Sequence, residues 1–463
     1  MPLGLTDSGG VYYGSYETRQ GVLEKMLNFD ELEKGFTEEE ALAEAARCLK
    51  CKNPLCVSGC PIENRIPEII AAIEAKDYPK AIEIINVNSN LAIICARVCP
   101  HNDQCEGACI LDRKGKGIRI SKLERFLAEK EMELTLNQLR EKVAVIGSGP
   151  AGLSVAAILA KQNYRVTLFE AQTKAGGVLR YGIPEYRLPK GVVDKQIEIV
   201  RNLGVRVETG VVIGEDLTID QLFAMDYKAI FIGTGTGLSR KLEVEGETLP
   251  GAMQAIYFLG TVSLIQEGSL AGHPYPVQPG DRVLVVGAGN VAVDAARTAL
   301  RLGAASVRAI DIVPEKERRA CDKEFAEALQ EGVSFNFETG IAKIHGESKL
   351  TGVTLQRVTR QVAGRESIIL PLGGSEERID CDKLIIAVGQ KPFARIVSTT
   401  TGIKTNERGY VITEMAPFYG MTTRTGVFAA GDVVHEPKTV ILAMREGRRV
   451  AEAIDAFLQP DSV

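Results

Sequence analysis

Two stretches of this chain follow one plan, and that plan fixes most of what the chain can fold into. "KVAVIGSGPAGLSVAAILAKQNYRVTLFE" reads as an apolar strand, a G-x-G-x-x-G turn at Gly147, Gly149 and Gly152, an apolar helix, and a second strand ending at Glu170, 18 residues after Gly152. "RVLVVGAGNVAVDAARTALRLGAASVRAID" repeats the plan with Gly287, Gly289, Ala292 and an acid, Asp311, 19 residues after Ala292. The one extra residue falls in the helix-to-strand turn. Glycines permit the tight turn and let the backbone approach a pyrophosphate at the helix N-terminus, while the acid accepts from ribose hydroxyls. A lone G-x-G-x-x-G says little, but with both strands, the helix and the acid in place it predicts a dinucleotide site. Glycines kept only for tight helix–strand packing are the competing reading at each site. Two such units point to a flavin in one and a nicotinamide nucleotide in the other, facing each other for hydride transfer. Asn290 and Val291, which open the second helix, join its expected nucleotide contacts.

Shorter signals complete this pattern. The apolar strands in "AIFIGTG" and "LIIAVGQKP" each run into a glycine turn, placing Gly235 and Gly389 among the cofactor-binding candidates. "GVFAAGDVV" sets Asp432 after Gly431 where a strand would meet a helix. There a backbone N–H can meet a flavin pyrophosphate and the carboxylate a ribityl hydroxyl, although Asp after Gly at a turn also serves as a plain cap.

Composition narrows the class. With 463 residues, 45% of them hydrophobic, the chain has length for about three domains. Its 55 basic and 60 acidic side chains leave a net charge of -5, so no basic excess points to nucleic acid or an anionic membrane. No apolar run approaches the roughly 20 residues of a membrane span. The opening "MPLGLTDSGG" lacks a basic then apolar pattern, so a cytoplasmic protein is expected.

Eight of the ten cysteines lie between Cys48 and Cys109; only Cys321 and Cys381 fall elsewhere. The first group reads C-x2-C-x4-C-x3-C-P, from Cys48, Cys51, Cys56 and Cys60; the second reads C-x3-C-P-x5-C-x3-C, from Cys95, Cys99, Cys105 and Cys109. Disulfides suit small secreted domains, not a long chain without an export signal. Structural zinc favours paired C-x2-C hooks, and only one such pair exists here. Iron–sulfur clusters are the better reading, with a run of cysteines shared between two clusters as in two-cluster ferredoxins. Eight buried free thiols in a helical domain would be the bland alternative. Apolar residues at helical spacing through "IPEIIAAIEAKDYPKAIEIINVNSNLAIIC", and Thr37 three residues before Glu40 as in a capping box, make this module helical.

Taken together, the cysteine module, "VIGSGPAGL", "GGVLRYGIPEYRLPK", "GTG", "VGAGNVAVDAAR" and "GVFAAGD" resemble the glutamate synthase small subunit family. That family includes the flavoprotein subunit of NADH-dependent ferredoxin:NADP oxidoreductase and the N-terminal half of dihydropyrimidine dehydrogenase. The resemblance implies an α/β fold. A helical domain with two [4Fe–4S] clusters would span 1–138, an FAD domain 139–270 and 390–463, and an inserted NAD(P) domain 271–389. It implies Cys48, Cys51, Cys56 and Cys109 on one cluster, and Cys60, Cys99 and Cys105 on the other, with Glu124 of "ISKLERF" as fourth ligand. Simple counting would instead use Cys95. The segment "GGVLRYGIP" runs beside the flavin in the family, which implies site roles for Gly177, Arg180 and Tyr181; ordinary loop packing is the alternative.

The expected activity is hydride transfer from NADH or NADPH to FAD, with single electrons then passing through the clusters. The partner is a second oxidoreductase subunit or a ferredoxin, since no stretch of about 250 residues remains for a barrel. Rival readings are a self-contained flavin reductase of the thioredoxin reductase kind, whose redox C-x-x-C is missing, and a non-catalytic structural or regulatory subunit. NADPH-using relatives carry a pattern like Y-R-R-x4-M-P-A. Here Asp311, Ile312 and Val313 fill its first positions, and Arg318 and Arg319 stand where its Met and Pro would be. NADH is therefore favoured, because Asp311 accepts from ribose hydroxyls and repels a 2′-phosphate.

Overall fold

The computed structural model describes residues 28–130, 140–363, 366–393, 395–436 and 439–459. The cysteine module is helical, as its apolar spacing predicts, with helices Glu38–Ala46, Leu55–Gly59, Ile66–Glu74, Tyr78–Asn88, Ala92–Val98 and Ile120–Ala128. The capping box forms in both halves: Thr37 Oγ1 accepts from the Glu40 N–H at 3.2 Å, and the Thr37 N–H donates to Glu40 Oε2 at 2.8 Å. Ile66, Ile69, Ile70 and Ile73 recur on one face of their helix and are buried together. No single described helix is long and apolar enough to cross a membrane. The pair Tyr78–Asn88 and Ala92–Val98 passes only together and is bent by 77°.

The strands that follow are β1 (Lys142–Ile146), β2 (Arg165–Glu170), β3 (Arg206–Thr209), β4 (Tyr227–Ile232), β5 (Leu238–Ser239), β6 (Ala252–Gln254), β7 (Arg282–Val286) and β8 (Ser306–Ile310). After them come β9 (Ser334–Asn336), β10 (Thr339–Gly346), β11 (Leu350–Ala363), β12 (Glu366–Pro371), β13 (Glu377–Asp380), β14 (Lys383–Ile386), β15 (Gln390–Lys391) and β16 (Val427–Ala429). They build two parallel five-stranded sheets, ordered β16-β4-β1-β2-β3 and β6-β14-β7-β8-β9. All strands of the second sheet fall between β4 and β16 of the first, so the second unit is inserted in the first. Near-continuous apolar runs such as "VLVV" are what parallel strands covered on both faces require. In the second unit one face packs on helices Ala255–Gln266 and Asn290–Arg301, and the other on the antiparallel β10–β13 sheet through Ile344, Leu350 and Val353.

The boundary expected at residue 270 does not hold. β6 pairs with β14, and Ala255, Phe258, Leu259 and Val262 of the following helix lie in the second unit's core. Residues 252–266 therefore pack with the inserted unit, because that sheet needs an edge strand and a covering helix. β5 and β15 pair antiparallel where the chain crosses between the units. The cysteine domain, by contrast, shares one continuous core with the first unit: Cys60, Ile70 and Cys95 belong to the same cluster as Val143, Leu153 and Met444.

Candidate functional site

The two glycine turns are built alike. β1 runs into Gly147, whose N–H donates to Phe169 O at 2.8 Å and whose φ is +98°. A Cβ there would stand 2.6 Å from Gly233 O on the neighbouring strand end, so only glycine fits. Gly149 caps helix Pro150–Lys161, aiming that helix's free N–H groups at the turn. Glu170 at the end of β2 is buried, and its Oε2 accepts from the Ser148 N–H at 3.0 Å while Oε1 accepts from the Gln172 N–H at 2.8 Å. In the second unit Gly287 donates to Ile310 O at 2.7 Å, and a Cβ would stand 2.7 Å from Ala387 O. Asp311 accepts from the Ala288 N–H at 2.6 Å and the Val313 N–H at 3.2 Å. Gly289 caps helix Asn290–Arg301, and Asn290 Oδ1 accepts from the Cys321 N–H at 3.0 Å. Val291 is part-exposed at the helix start. Gly235 and Gly389 each follow by two residues the carbonyl that closes a turn, and they mark the two crossings between units.

The surroundings of the first turn come from three distant segments. Gly177, at φ +51°, lies so close that a Cβ would stand 2.9 Å from Gly149 Cα. Gly431 abuts Ala151, and Gly447 of helix Val440–Leu458 approaches Ala151 O. Asp432 follows in a half-buried single turn beside the same helix start. Ser148 was not among the sequence candidates, yet its hydroxyl bonds Glu170 and accepts from the Gly176 N–H at 2.8 Å. Its position between two turn glycines is the signal that marks it.

Arg180 does not stand free beside a cofactor. Its side chain is buried, Nε donates to Ala175 O at 2.9 Å, Nη1 to Glu267 Oε2 at 2.8 Å, and Nη2 to Asp194. The guanidinium clamps helix Lys190–Asn202 to the segment after helix Ala255–Gln266, and burial makes that pairing obligatory. Tyr181 is half-buried and its hydroxyl donates to Lys174 O at 3.0 Å. The rest of the segment binds the second unit: Tyr186 is fully buried with the Arg301 guanidinium 3.9 Å over its ring, and Arg187 pairs with Asp294 at 2.7 Å and with Glu324. An aromatic and an arginine between prolines in "PEYRLPK" signalled this brace, and it went unread in the sequence.

Cys48, Cys51, Cys56 and Cys109 line one cavity of about 210 Å³, whose other walls include Ile66, Ile70, Ile118 and Ile120. Burial pushes the Cys56 thiol up to about 11, aided by Cys109 and Cys48, and raises Cys48 as well. Metal binding would displace these protons. Among the described residues no three His, Cys, Asp or Glu side chains converge on a point for a single metal ion. Four thiols around a roomy apolar cavity fit a polynuclear cluster better than zinc.

Cys60, Cys99 and Cys105 form a second group. Burial raises Cys60 and Cys105, and the Cys95 hydrogen bond together with burial raises Cys99; Glu124 acts on all three in the same sense. Glu124 is buried, accepting from Asn64 Nδ2 at 3.1 Å, with His101 Nε2 3.9 Å away. Cys95 also adjoins Cys60 and Cys99, while its thiol donates to Met444 Sδ at 3.5 Å. Cys48, Cys51, Cys56 and Cys109 thus surround one cavity, and Cys60, Cys99 and Cys105 lie near Glu124, with Cys95 beside Cys60 and Cys99.

Two parallel-sheet nucleotide units behind a thiol-rich helical domain define a pyridine-nucleotide flavin oxidoreductase with an iron–sulfur module. Residues 141–447 match the pyridine nucleotide-disulphide oxidoreductase family, and residues 25–136 match dihydropyrimidine dehydrogenase domain II, 4Fe-4S cluster. The Mycobacterium tuberculosis FprA His57Gln mutant shares the fold, with a TM-score of 0.58 and 17% identity over 69% of this chain and 84% of that one. The thioredoxin reductase of T. acidophilum gives a TM-score of 0.51 and 22% identity over 68% of this chain and 98% of that one. In sequence, the glutamate synthase [NADPH] small chain of Escherichia coli K12 is 31% identical over 94% of this chain and 95% of its own length. The NAD-dependent dihydropyrimidine dehydrogenase subunit PreT of Salmonella typhimurium LT2 is 31% identical over 93% and 97%. The chain belongs to the family of the glutamate synthase small chain and its relatives, and is an NAD(P)H-dependent flavin and iron–sulfur oxidoreductase.

Proposed function

We propose that this chain is the nicotinamide-facing subunit of a larger electron-transfer assembly, with FAD at the first unit, NADH at the second and two four-iron clusters in the helical domain. Bound there, these groups supply hydride transfer between nicotinamide and flavin, and one-electron exchange between the clusters and a partner subunit or ferredoxin. The observation that carries this order is the shared core: the thiol domain packs into the first unit, with Cys95 against Met444, while the second unit has its own core. The flavin unit would thereby sit between the nicotinamide unit and the clusters.

Each residue has a defined task in this reading. Gly147, Gly149 and Gly152 let the FAD pyrophosphate reach the helix N-terminus, Glu170 receives its ribose hydroxyls, and Asp432 its ribityl chain. Gly287, Gly289, Asn290 and Val291 do the same for the nicotinamide nucleotide, with Asp311 at its ribose. Cys48, Cys51, Cys56 and Cys109 ligate one cluster; Cys60, Cys99, Cys105 and Glu124 ligate the other. Glu124 is preferred to Cys95 because its buried carboxylate acts electrostatically on all three of those cysteines, whereas Cys95 acts on Cys60 and Cys99 alone.

Protein purified without oxygen is expected to hold about eight irons, from two four-iron clusters, and one FAD. It should reduce an artificial one-electron dye with NADH. Cys95→Ala should keep the full iron content and Cys60→Ala should lose half. Stoichiometric zinc would overturn the electron-transfer reading, and a loss of iron in Cys95→Ala alone would move the fourth ligand to Cys95.

A further inference from the structure

The chain carries net negative charge, but the two segments that supply the first thiol cavity do not. Residues 47–56 and 109–119 hold seven Lys and Arg against a single acid, Asp112. Lys52, Arg113, Lys114 and Lys116 are all exposed, and none has an ion-pair partner among the described residues. The other three cations of this surface are neutralised nearby, Arg47 by Glu44, Lys50 by Glu74 and Arg119 by Glu106.

The same surface is apolar at its centre. Leu49, Leu55 and Ile110 line the thiol cavity and are 59%, 45% and 43% exposed, so they form its mouth rather than its floor. Three large aliphatic side chains in water next to one another have a solvation cost that a folded chain seldom carries without use. An apolar centre inside a charged rim is the anatomy of a transient protein interface. The rim here has one sign, so its field would draw in a partner of the other sign and orient it with the apolar patch at the centre.

We propose that the face formed by Leu49, Leu55 and Ile110, rimmed by Lys52, Arg113, Lys114 and Lys116, docks an acidic one-electron carrier protein over the Cys48–Cys51–Cys56–Cys109 cavity. This rests on the proposed function, since only an electron-transfer role gives such a partner reason to approach that cavity. The carrier's carboxylates meet the unpaired cations, and its own apolar contact excludes water above the thiol group.

The test uses holoprotein purified without oxygen and two probe proteins of opposite charge, an acidic bacterial two-cluster ferredoxin and basic cytochrome c. Equilibrium binding to immobilised ferredoxin should weaken by about tenfold or more in Lys52→Glu/Lys114→Glu, and steeply as salt rises from about 0.02 to 0.3 M. Leu55→Ser should weaken it about threefold or more with the salt dependence kept. Lys241→Glu, an exposed lysine outside the patch, should leave it unchanged, and cytochrome c should bind the wild-type face no better than background. Ferredoxin that fails to bind, or that binds wild type and the double reversal equally, overturns the proposal. NADH-dependent dye reduction and iron content are read on the same samples. Wild type that lacks both has lost the functional reading, whereas full dye activity with charge-insensitive ferredoxin binding removes the docking face alone.

Discussion

The two nucleotide turns share their hydrogen bonds almost atom for atom and differ in what stands around them. In both, the strand-end acid accepts from the N–H between the first two turn glycines, at Ser148 and at Ala288. The first turn is crowded. Gly177 lies against Gly149, Gly431 and Gly447 lie against Ala151, and a Cβ on Gly152 would stand 1.9 Å from Gly147 O. The second is more open: a Cβ on Gly289 would find only Arg319 Cβ at 3.9 Å, much as one on Gly149 would find nothing within 4 Å, but among the described residues no glycine lies against Gly289 as Gly177 lies against Gly149, and Ala292 carries its methyl buried at the third position. Two copies of one local plan thus give a closed seat and an open one. Closure suits a cofactor that stays; openness suits a nucleotide that must leave after each turnover.

That contrast is most easily broken at the third turn position. Gly152→Ala places a methyl where the carbonyl of Gly147 already sits, so helix Pro150–Lys161 must move away from β1. The expected cost is about 3 kcal/mol, at the upper end for overpacking, with flavin content falling tenfold or more on gel filtration. The mirror change, Ala292→Gly, should cost only about 1 kcal/mol and leave flavin content whole. Equal flavin loss in the two variants would show that the first turn is no tighter in function than the second.

Lys190 sharpens the comparison, since it supports the segment that lies against the first turn. Its ammonium is buried under the segment that carries Gly177, donating to Ile183 O at 2.5 Å and Leu188 O at 3.1 Å. Burial depresses its pKa to about 8; Glu185, Asp294 and Glu267 oppose that shift, and Arg180 adds to it. The folded value lies below the unfolded one, so between about pH 8 and 10.5 the unfolded chain binds more protons. Stability from this group is therefore fully present above that window and is lost as pH falls through 8. Denaturant unfolding of wild type against Lys190→Met from pH 7.5 to 10 should shift in favour of wild type by up to about 3 kcal/mol. A difference that stays flat with pH would mean that Lys190 titrates normally.

What the sequence made legible follows from how far each contact reaches along the chain. Turn glycines and strand-end acids act within about 25 residues of one another and form the expected turns. The cysteine runs are each short, but Cys48, Cys51 and Cys56 meet Cys109 from the far end of the helical module. The pairing of Arg180 was not legible because its partners, Asp194 and Glu267, are separated from each other by much of the first unit. The boundary at 270 failed for the same reason. β6 is three residues long, without periodicity of its own, and its partner β14 lies more than a hundred residues away. The β10–β13 sheet, which covers one face of the second unit, was likewise not foreseen, because its strands carry no glycine fingerprint. Cys95 and Glu124 could not be separated by counting, since both project into one buried group from helices that the sequence does not orient.

The smallest expected effect concerns which nucleotide the open seat prefers, and there the two arginines of "ERRAC" have different standing. Arg318 is taken up: it pairs with Asp322 and lies 4.3 Å over the Phe325 ring. Arg319 is exposed, has no ion pair among the described residues, and its Cβ is the nearest neighbour of the Gly289 position. In the proposed reading that location would be the pyrophosphate end of the turn, not the ribose end marked by Asp311. Arg319 should therefore help NADH and NADPH alike, whereas Asp311 should discriminate, because its carboxylate accepts from a ribose hydroxyl and repels a 2′-phosphate. Wild type is expected to favour NADH in kcat/KM by on the order of 1–3 kcal/mol, one bidentate contact's worth. Asp311→Ala should narrow that ratio to within about threefold, and Arg319→Ala should raise KM about threefold to tenfold for both nucleotides while leaving the ratio unchanged. If Arg319→Ala penalises NADPH alone, the arginine reaches the 2′-phosphate instead, and the open seat accepts the phosphorylated nucleotide through a residue at the far side of the turn from the strand-end acid.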